Sequence, residues 1–283
     1  MQPIVDLLKK TPSFIFIAIF KERIHFSSDL PTMTDILRSI NKRLTKYCGF
    51  AIHKYSEFPS DFAHDHIDII RSVQPFTMTS PEKLYSLIQG VKYIIQNNVP
   101  GDIVECGVWR GGSMMAVAQT LLRLNHTEKA LFLYDTFSGM SKPTDLDVNF
   151  NGLKAFDKFN KRRLADGKTN WAIASLNEVK ENVLQVGYDQ SKINFIEGKV
   201  EDTIPETIPE TISLLRLDTD WYESTKHELI HLFPRLSKNG VVIIDDYGHW
   251  KGSQKAVDEF FSENKINILL NRVDYSARMG LKL

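Results

Sequence analysis

Two short stretches of this chain carry paired acids, Asp218-Thr219-Asp220 and Asp245-Asp246. Each follows an apolar run, Ile212 to Leu217 and Val241-Val242-Ile243-Ile244, so each pair stands at the end of an expected strand. If those strands are neighbours they lie ~4.8 Å apart, and the four carboxylates meet at one spot. Their repulsion would drive protons onto some of them. A hard divalent cation relieves it, and Mg²⁺ prefers oxygen ligands. Asp220 has a plainer use as the cap of a helix beginning near Tyr222, which still leaves the other acids unexplained.

A second constellation is Glu105-Cys106-Gly107-Val108-Trp109-Arg110-Gly111-Gly112-Ser113. Ile103 and Val104 before it read as a strand, and Met114 to Leu124 after it as a helix. Glycines let a backbone approach a ligand, and a helix N-terminus offers free N–H groups. The pattern E-x-G-x-x-x-G-G departs from the dinucleotide fingerprint G-x-G-x-x-G. An acid before the first glycine suits the amine of a methionine moiety and repels a pyrophosphate, which favours S-adenosylmethionine. Asp135 ends a second strand, Ala130 to Tyr134, where it could accept hydrogen bonds from ribose hydroxyls or cap the next segment. Cys106 reads as a small buried side chain.

The elements that must hold these residues alternate. Thr79-Ser80-Pro81-Glu82 starts a helix whose apolar positions Leu84, Leu87, Ile88, Val91, Ile94 and Ile95 share a face, and Pro100-Gly101 breaks it. Glu178 to Gly187 reads as a helix and Ile193-Asn194-Phe195-Ile196 as a strand. Leu229 to Leu236 reads as a helix stopped by Asn239-Gly240, Ser253 to Glu263 as another, and 266–270 and 277–283 as closing strands. This is an α/β pattern with a seven-stranded, mostly parallel sheet and right-handed crossovers. Ligands of such sheets bind beyond the carboxyl ends of the strands, so Glu105, Asp135, Asp218 and Asp245 should share one rim. Residues 141–170 lack clean periodicity and read as a lid or substrate loop, with Phe156 to Leu164 equally readable as a solvated surface helix. Residues 1–75 read as an N-terminal helical extension, a lid or an oligomer contact, ahead of the main domain at 76–283. The extension holds an H-x-H pair, His64 and His66, more readily a polar helix face than a metal site.

Composition excludes other classes. The 283 residues carry a net charge of +0, which gives no electrostatic footprint for nucleic acid or an anionic membrane. Two cysteines, Cys48 and Cys106, make no disulfide framework and suggest a reducing compartment such as the cytoplasm. Phe14 to Phe20 is apolar but falls well short of the ~20 residues that span a bilayer.

Between Thr77 and Gly248 the chain resembles the macrocin O-methyltransferases, enzymes of natural-product sugars. The matching words are Thr77-Met78-Thr79-Ser80, Gly101 through Gly112, Asp135-Thr136-Phe137, Leu215 through Thr225, and Asp245-Asp246-Tyr247-Gly248. The resemblance runs over roughly residues 75–283. It implies a Rossmann-like class I methyltransferase fold, S-adenosylmethionine, Mg²⁺, a sugar or glycoside acceptor and a homo-oligomer. Asp218, Asp245 and Asp246 would be metal ligands and Asp220 the general base. Met78, Glu105, Gly107, Trp109, Arg110, Gly111, Gly112, Ser113, Asp135, Thr136, Phe137, Ser138 and Asp218 would fall at cofactor positions. Many methyltransferases have Gly-Asp after the third strand, whereas this chain has Gly198-Lys199, which leaves Val200 or Asp202 beside the adenine. A carboxylate with a pKa near ~4 cannot alone deprotonate an alcohol, so the cation would acidify the hydroxyl that Asp220 relieves of its proton. Rival readings are methyl transfer to another acceptor, including carbon, and a D-x-D glycosyltransferase. An aspartyl phosphatase would need Thr where Tyr222 stands, and a non-catalytic relative would have no need to keep the acids.

Overall fold

The computed structural model describes Ser39, Ile40, Lys42 and residues 58–165 and 167–283. The chain divides into two units, Met1–Glu57 and Phe58–Leu283. In the first, Ser39, Ile40 and Lys42 are helical. The apolar run at 14–20, Cys48 and most of the expected N-terminal extension lie outside the described residues. The second unit takes in residues 58–75 as well as 76–283.

The second unit opens with α1 (His64–Val73) and α2 (Pro81–Gln96). Then come β1 (Asp102–Cys106), α3 (Gly112–Arg123), β2 (Leu131–Asp135), α4 (Ala155–Lys161), α5 (Leu176–Leu184) and β3 (Ile193–Glu197). After them follow α6 (Val200–Thr203), β4 (Ile212–Leu217), α7 (Tyr222–Leu232), β5 (Leu236–Ile244), α8 (Lys251–Glu263), β6 (Asn271–Arg272) and β7 (Arg278–Leu281). The seven strands make one sheet in the order β3-β2-β1-β4-β5-β7-β6. β1 to β5 pair in parallel, and β7 turns antiparallel on β5 and on β6. Among the described residues no helix is long and apolar enough to cross a membrane.

Strand alternation sorts the core onto two faces. Ile103, Leu131, Leu133, Leu214 and Val241 pack with α1, α2, α3 and α5, while Val104, Tyr134, Leu215, Leu217 and Val242 pack with α7 and α8. All six residues of β4 are buried, as expected for a central strand covered on both sides. α2 follows the expected design. Ser80 accepts a hydrogen bond from Lys83 N, Pro81 opens the helix, and Leu84, Leu87, Ile88, Val91 and Ile94 are buried.

Four boundaries differ from the sequence reading. α7 begins at Tyr222, where the reading of Asp220 as a cap starts it, and not at Leu229, where the apolar period starts, because its first turns bury Ser224, Thr225 and Glu228. Asn239-Gly240 is not a helix stop. It lies inside β5, where Leu236 and Val241 pair with Ile212 and Leu214 of β4, so the extra residues bulge out. α5 runs over Leu176–Leu184 from a Ser175 cap, ahead of the expected 178–187. The stretch 266–270 is not a strand, and its sheet position is taken by the two-residue β6 at Asn271–Arg272.

The 141–170 insertion is a folded loop containing α4 and three isolated bridges, Val148 with Lys154, Asn149 with Trp250 and Arg163 with Thr169. Its ends meet, since Met140 N donates to Trp171 O at 3.0 Å.

Candidate active site

Hydrogen bonds continue the parallel ladder past the strand ends and bring the acids to one rim. Gly107 N donates to Tyr134 O at 2.8 Å, Asp218 N to Cys106 O at 2.8 Å, Asp245 N to Leu217 O at 2.9 Å and Gly198 N to Asp135 O at 3.0 Å. Gly107 has φ +85°, and a Cβ there would stand 2.1 Å from the carbonyl oxygen of Asp218. Gly111 and Gly112 are closed off by Val183 and by the Phe76 backbone, with a Cβ at 2.6 and 2.7 Å. These glycines therefore serve close packing between loops, and Gly111 caps α3 in a left-handed conformation.

Arg216, the next-to-last residue of β4 and 2% exposed, organises the rim. Its Nη1 donates to Glu105 Oε1 at 2.5 Å and to Asp218 Oδ2 at 2.8 Å, and its Nη2 to Asp245 Oδ1 at 2.6 Å and Thr79 Oγ1 at 3.1 Å. Lys83, from the first turn of α2, reaches Asp245 Oδ2 at 2.5 Å. Burial opposes ionisation of Asp245, but Arg216 and Lys83 together hold its carboxyl below the ordinary range. Asp245, expected among the metal ligands, thus has each oxygen facing a cation. The carboxylate oxygens of Asp218, Asp220 and Asp246 lie within 4.8 Å of one another. Burial, with mutual repulsion, pushes Asp218 and Asp246 up. Asp246 Oδ2 is buried and has no hydrogen-bond partner.

Asp220 does not cap α7. Trp221 is the N-cap residue, and Asp147 Oδ1 from the insertion accepts from Tyr222 N at 2.8 Å. Trp221 N instead closes back on Thr219 O at 2.8 Å, with Asp220 between them at φ 69°. That is a γ-turn in its rare, strained form. Burial pushes the Asp220 carboxyl up to about 7, against hydrogen bonds from Asp246 and Trp250 that pull it down.

Asp135, expected to meet a ribose, spends both oxygens on backbone. Oδ2 accepts from Val108 N at 2.7 Å and Trp109 N at 2.9 Å, and Oδ1 from Phe137 N at 2.8 Å. It clamps the loops after β1 and β2 to each other. Burial raises its pKa against those bonds.

The rim opens into a cleft of about 320 Å³. Of the expected residues, Met78, Gly107, Trp109, Ser113, Asp135, Thr136, Val200, Asp218, Asp220, Asp245 and Asp246 line it. Glu105, Arg110, Gly111, Gly112, Phe137, Ser138 and Asp202 are not among its walls. Glu105 is buried behind Arg216, with Oε2 unpartnered, and Arg110 turns to Glu178 at 2.6 Å and the Pro75 carbonyl at 2.8 Å. Sequence reasoning missed Arg216 and Asp147, which hold the site from behind, and Lys83, Lys158 and the aromatic wall of Trp171 and Trp250, which line the cleft. An arginine inside the apolar run Leu214-Leu215-Arg216-Leu217 was the available signal. His66 is buried on α1 with Nε2 3.0 Å from Lys92 Nζ, and no metal-ligand group forms around it among the described residues.

Residues 3–279 match the family model described as Macrocin-O-methyltransferase (TylF). Demethyldecarbamoylnovobiocin O-methyltransferase of Streptomyces niveus is 34% identical over 185 residues, 65% of this chain and 67% of that protein. Mycinamicin III 3''-O-methyltransferase of Micromonospora griseorubida is 33% identical over 171 residues, 60% of this chain and 65% of that one. The alignments thus span about two thirds of these relatives' lengths. The solved O-methyltransferase NovP superposes with a TM-score of 0.64 at 29% identity, over 73% of this chain and 82% of its own. A calicheamicin methyltransferase shares the fold, with a TM-score of 0.54 at 18% identity over 90% of this chain and 95% of its own.

Proposed function

The chain belongs to the macrocin-O-methyltransferase family, and from that membership we propose that it transfers the methyl group of S-adenosylmethionine to a hydroxyl of a sugar on a small-molecule glycoside, with a divalent cation of the Mg²⁺ type. The observation that carries this reading is the group of Asp218, Asp220 and Asp246, within 4.8 Å of one another in the cleft beside the Gly107 loop.

The residues fit both groups. The unpartnered Asp246 Oδ2 and the all-oxygen donor set suit a hard cation. Asp218 and Asp246 would hold it directly. Asp245, whose oxygens already face Lys83 and Arg216, would be a further ligand. Gly107, Val108 and Trp109, in the loop after β1, line the cleft where the methionine moiety would lie, while Glu105 stays behind Arg216. Bound at Asp218 and Asp246, the cation would make an acceptor hydroxyl more acidic. Asp220 takes that proton. Its burial favours the protonated form, which suits a proton acceptor. The γ-turn holds it in place. Arg216 and Lys83 keep Asp245 ionised beside it. The insertion, with Trp171 and Lys158, walls the acceptor side from water. No observation favours the glycosyltransferase reading of Asp218-Thr219-Asp220.

The test has two arms. Calorimetry should detect S-adenosylhomocysteine binding, and its absence overturns the methyltransferase reading. Methyl transfer to a panel of deoxysugar glycosides should stop on chelation, and full turnover in excess EDTA removes the cation from the reaction.

A further inference from the structure

The insertion over the cleft carries a charge pattern that methyl transfer does not use. Lys158, Lys161 and Arg162, in α4 and at its C-terminal end, stand three and four residues apart and share one helix face. Among the described residues Lys154 finds Asp145 at 3.2 Å, while Lys158, Lys161 and Arg162 form no ion pair. Like charges one turn apart weaken a helix, so this stripe works against its own element unless an anion answers it. The whole chain is neutral, so the stripe is local.

Lys158 also enters the cleft. It lines the same cavity as Asp220, with Nζ 3.8 Å from the Trp171 ring centroid. Burial and then repulsion from Arg162 lower its pKa, while Asp220 pulls the other way. His249, another wall of the cleft, is held low by burial and then by Lys83 and Lys158. Positive potential therefore reaches the acceptor side of a site whose floor is acidic.

We propose that the acceptor sugar carries an anionic group, a carboxylate or a phosphate, which Lys158 binds within the cleft and Arg162 and Lys161 bind at its rim. This rests on the acceptor site proposed above. The group sits on the lysine side, and the reacting hydroxyl faces Asp220. If Lys158 only packs on Trp171 or offsets Asp220, the acceptor's charge has no bearing on binding.

The full chain, loaded with S-adenosylhomocysteine and Mg²⁺, is titrated with methyl glucoside, methyl glucuronoside and glucose 1-phosphate, and binding is followed by calorimetry. At low salt at least one anionic probe should bind about tenfold tighter than methyl glucoside, the value of one charge-assisted hydrogen bond, and the gap should narrow as salt rises. Preference for the glucuronoside alone assigns a carboxylate, for the phosphate alone a phosphate, and for both an anion of either kind. Lys158→Gln should erase the preference and Lys158→Arg keep it, with S-adenosylhomocysteine affinity unchanged in both. Equal binding of the three probes, no binding of either anion, or a preference that survives Lys158→Gln overturns the proposal. A native chain that fails to bind S-adenosylhomocysteine counts instead against the methyltransferase reading.

Discussion

Asp147 Oδ1 accepts a hydrogen bond from Tyr222 N at 2.8 Å, and the same carboxylate accepts from Thr144 N at 2.7 Å and Thr144 Oγ1 at 2.9 Å. A fully buried acid of the insertion thus caps the helix that follows the Asp220 turn. Asp147→Ala should destabilise the protein by about 1 kcal/mol, the usual value of a lost cap, and lower kcat while leaving S-adenosylhomocysteine affinity intact. Thermal melts and single-substrate kinetics read both. An unchanged kcat would detach the insertion from the chemistry.

Arg216 faces Glu105, Asp218 and Asp245 at 2.5–2.8 Å. Replacing it by Met leaves buried charge uncompensated, a loss of about 3–5 kcal/mol. Urea unfolding measures it. A variant as stable as the parent would mean that the acids are largely protonated in the native protein.

The acids of Asp218-Thr219-Asp220 should separate. Asp220→Asn should lower kcat by about 10²–10⁴, the contribution of a general base, with cation and S-adenosylhomocysteine affinities almost unchanged. Asp218→Asn should weaken the cation, and high Mg²⁺ should restore part of the turnover. Rescue of the Asp220 variant and not the Asp218 variant would reverse the two roles.

Much of this site was legible before any coordinates. The Ile103/Val104 alternation and the acids after four apolar runs fix a parallel sheet and a common rim. What the acids do there was less legible. Asp135 turns to backbone because Trp109 and Phe137 adopt positive φ, 47° at each, and no residue type announces that. Asp245 is neutralised by Arg216 and Lys83, 29 and 162 residues away in the chain. Asn239-Gly240 carries the signal of a turn, and the same left-handed tolerance serves a bulge, with Asn239 at φ 63°. The run 266–270 is apolar enough for a strand but finds no ladder.

A pH effect follows from His66. Its Nε2 lies 3.0 Å from Lys92 Nζ and so accepts, which leaves the proton on Nδ1, buried without a partner. Burial, then the nearby cations Lys92 and Arg123, lowers its pKa from 6.5, with Asp65 opposing. A base with a lowered folded pKa gives stability that is complete above its unfolded pKa and is lost as pH falls below it. His66→Gln should therefore lose less stability than the native chain on acidification below pH 6.5. Melts across that range would show parallel curves if His66 has no part in it.

The hydrogen bond from Met140 N to Trp171 O makes the insertion a stretch of chain whose two ends already touch. Lengthening, shortening or exchanging such a loop changes its closure entropy little, by about 0.6 kcal/mol for each doubling. The acids sit on strand ends outside it. In descent, therefore, the wall that meets the acceptor can be swapped as a cassette while the proton-handling residues are inherited unaltered. The Asp147 contact is the joint that any such graft has to rebuild.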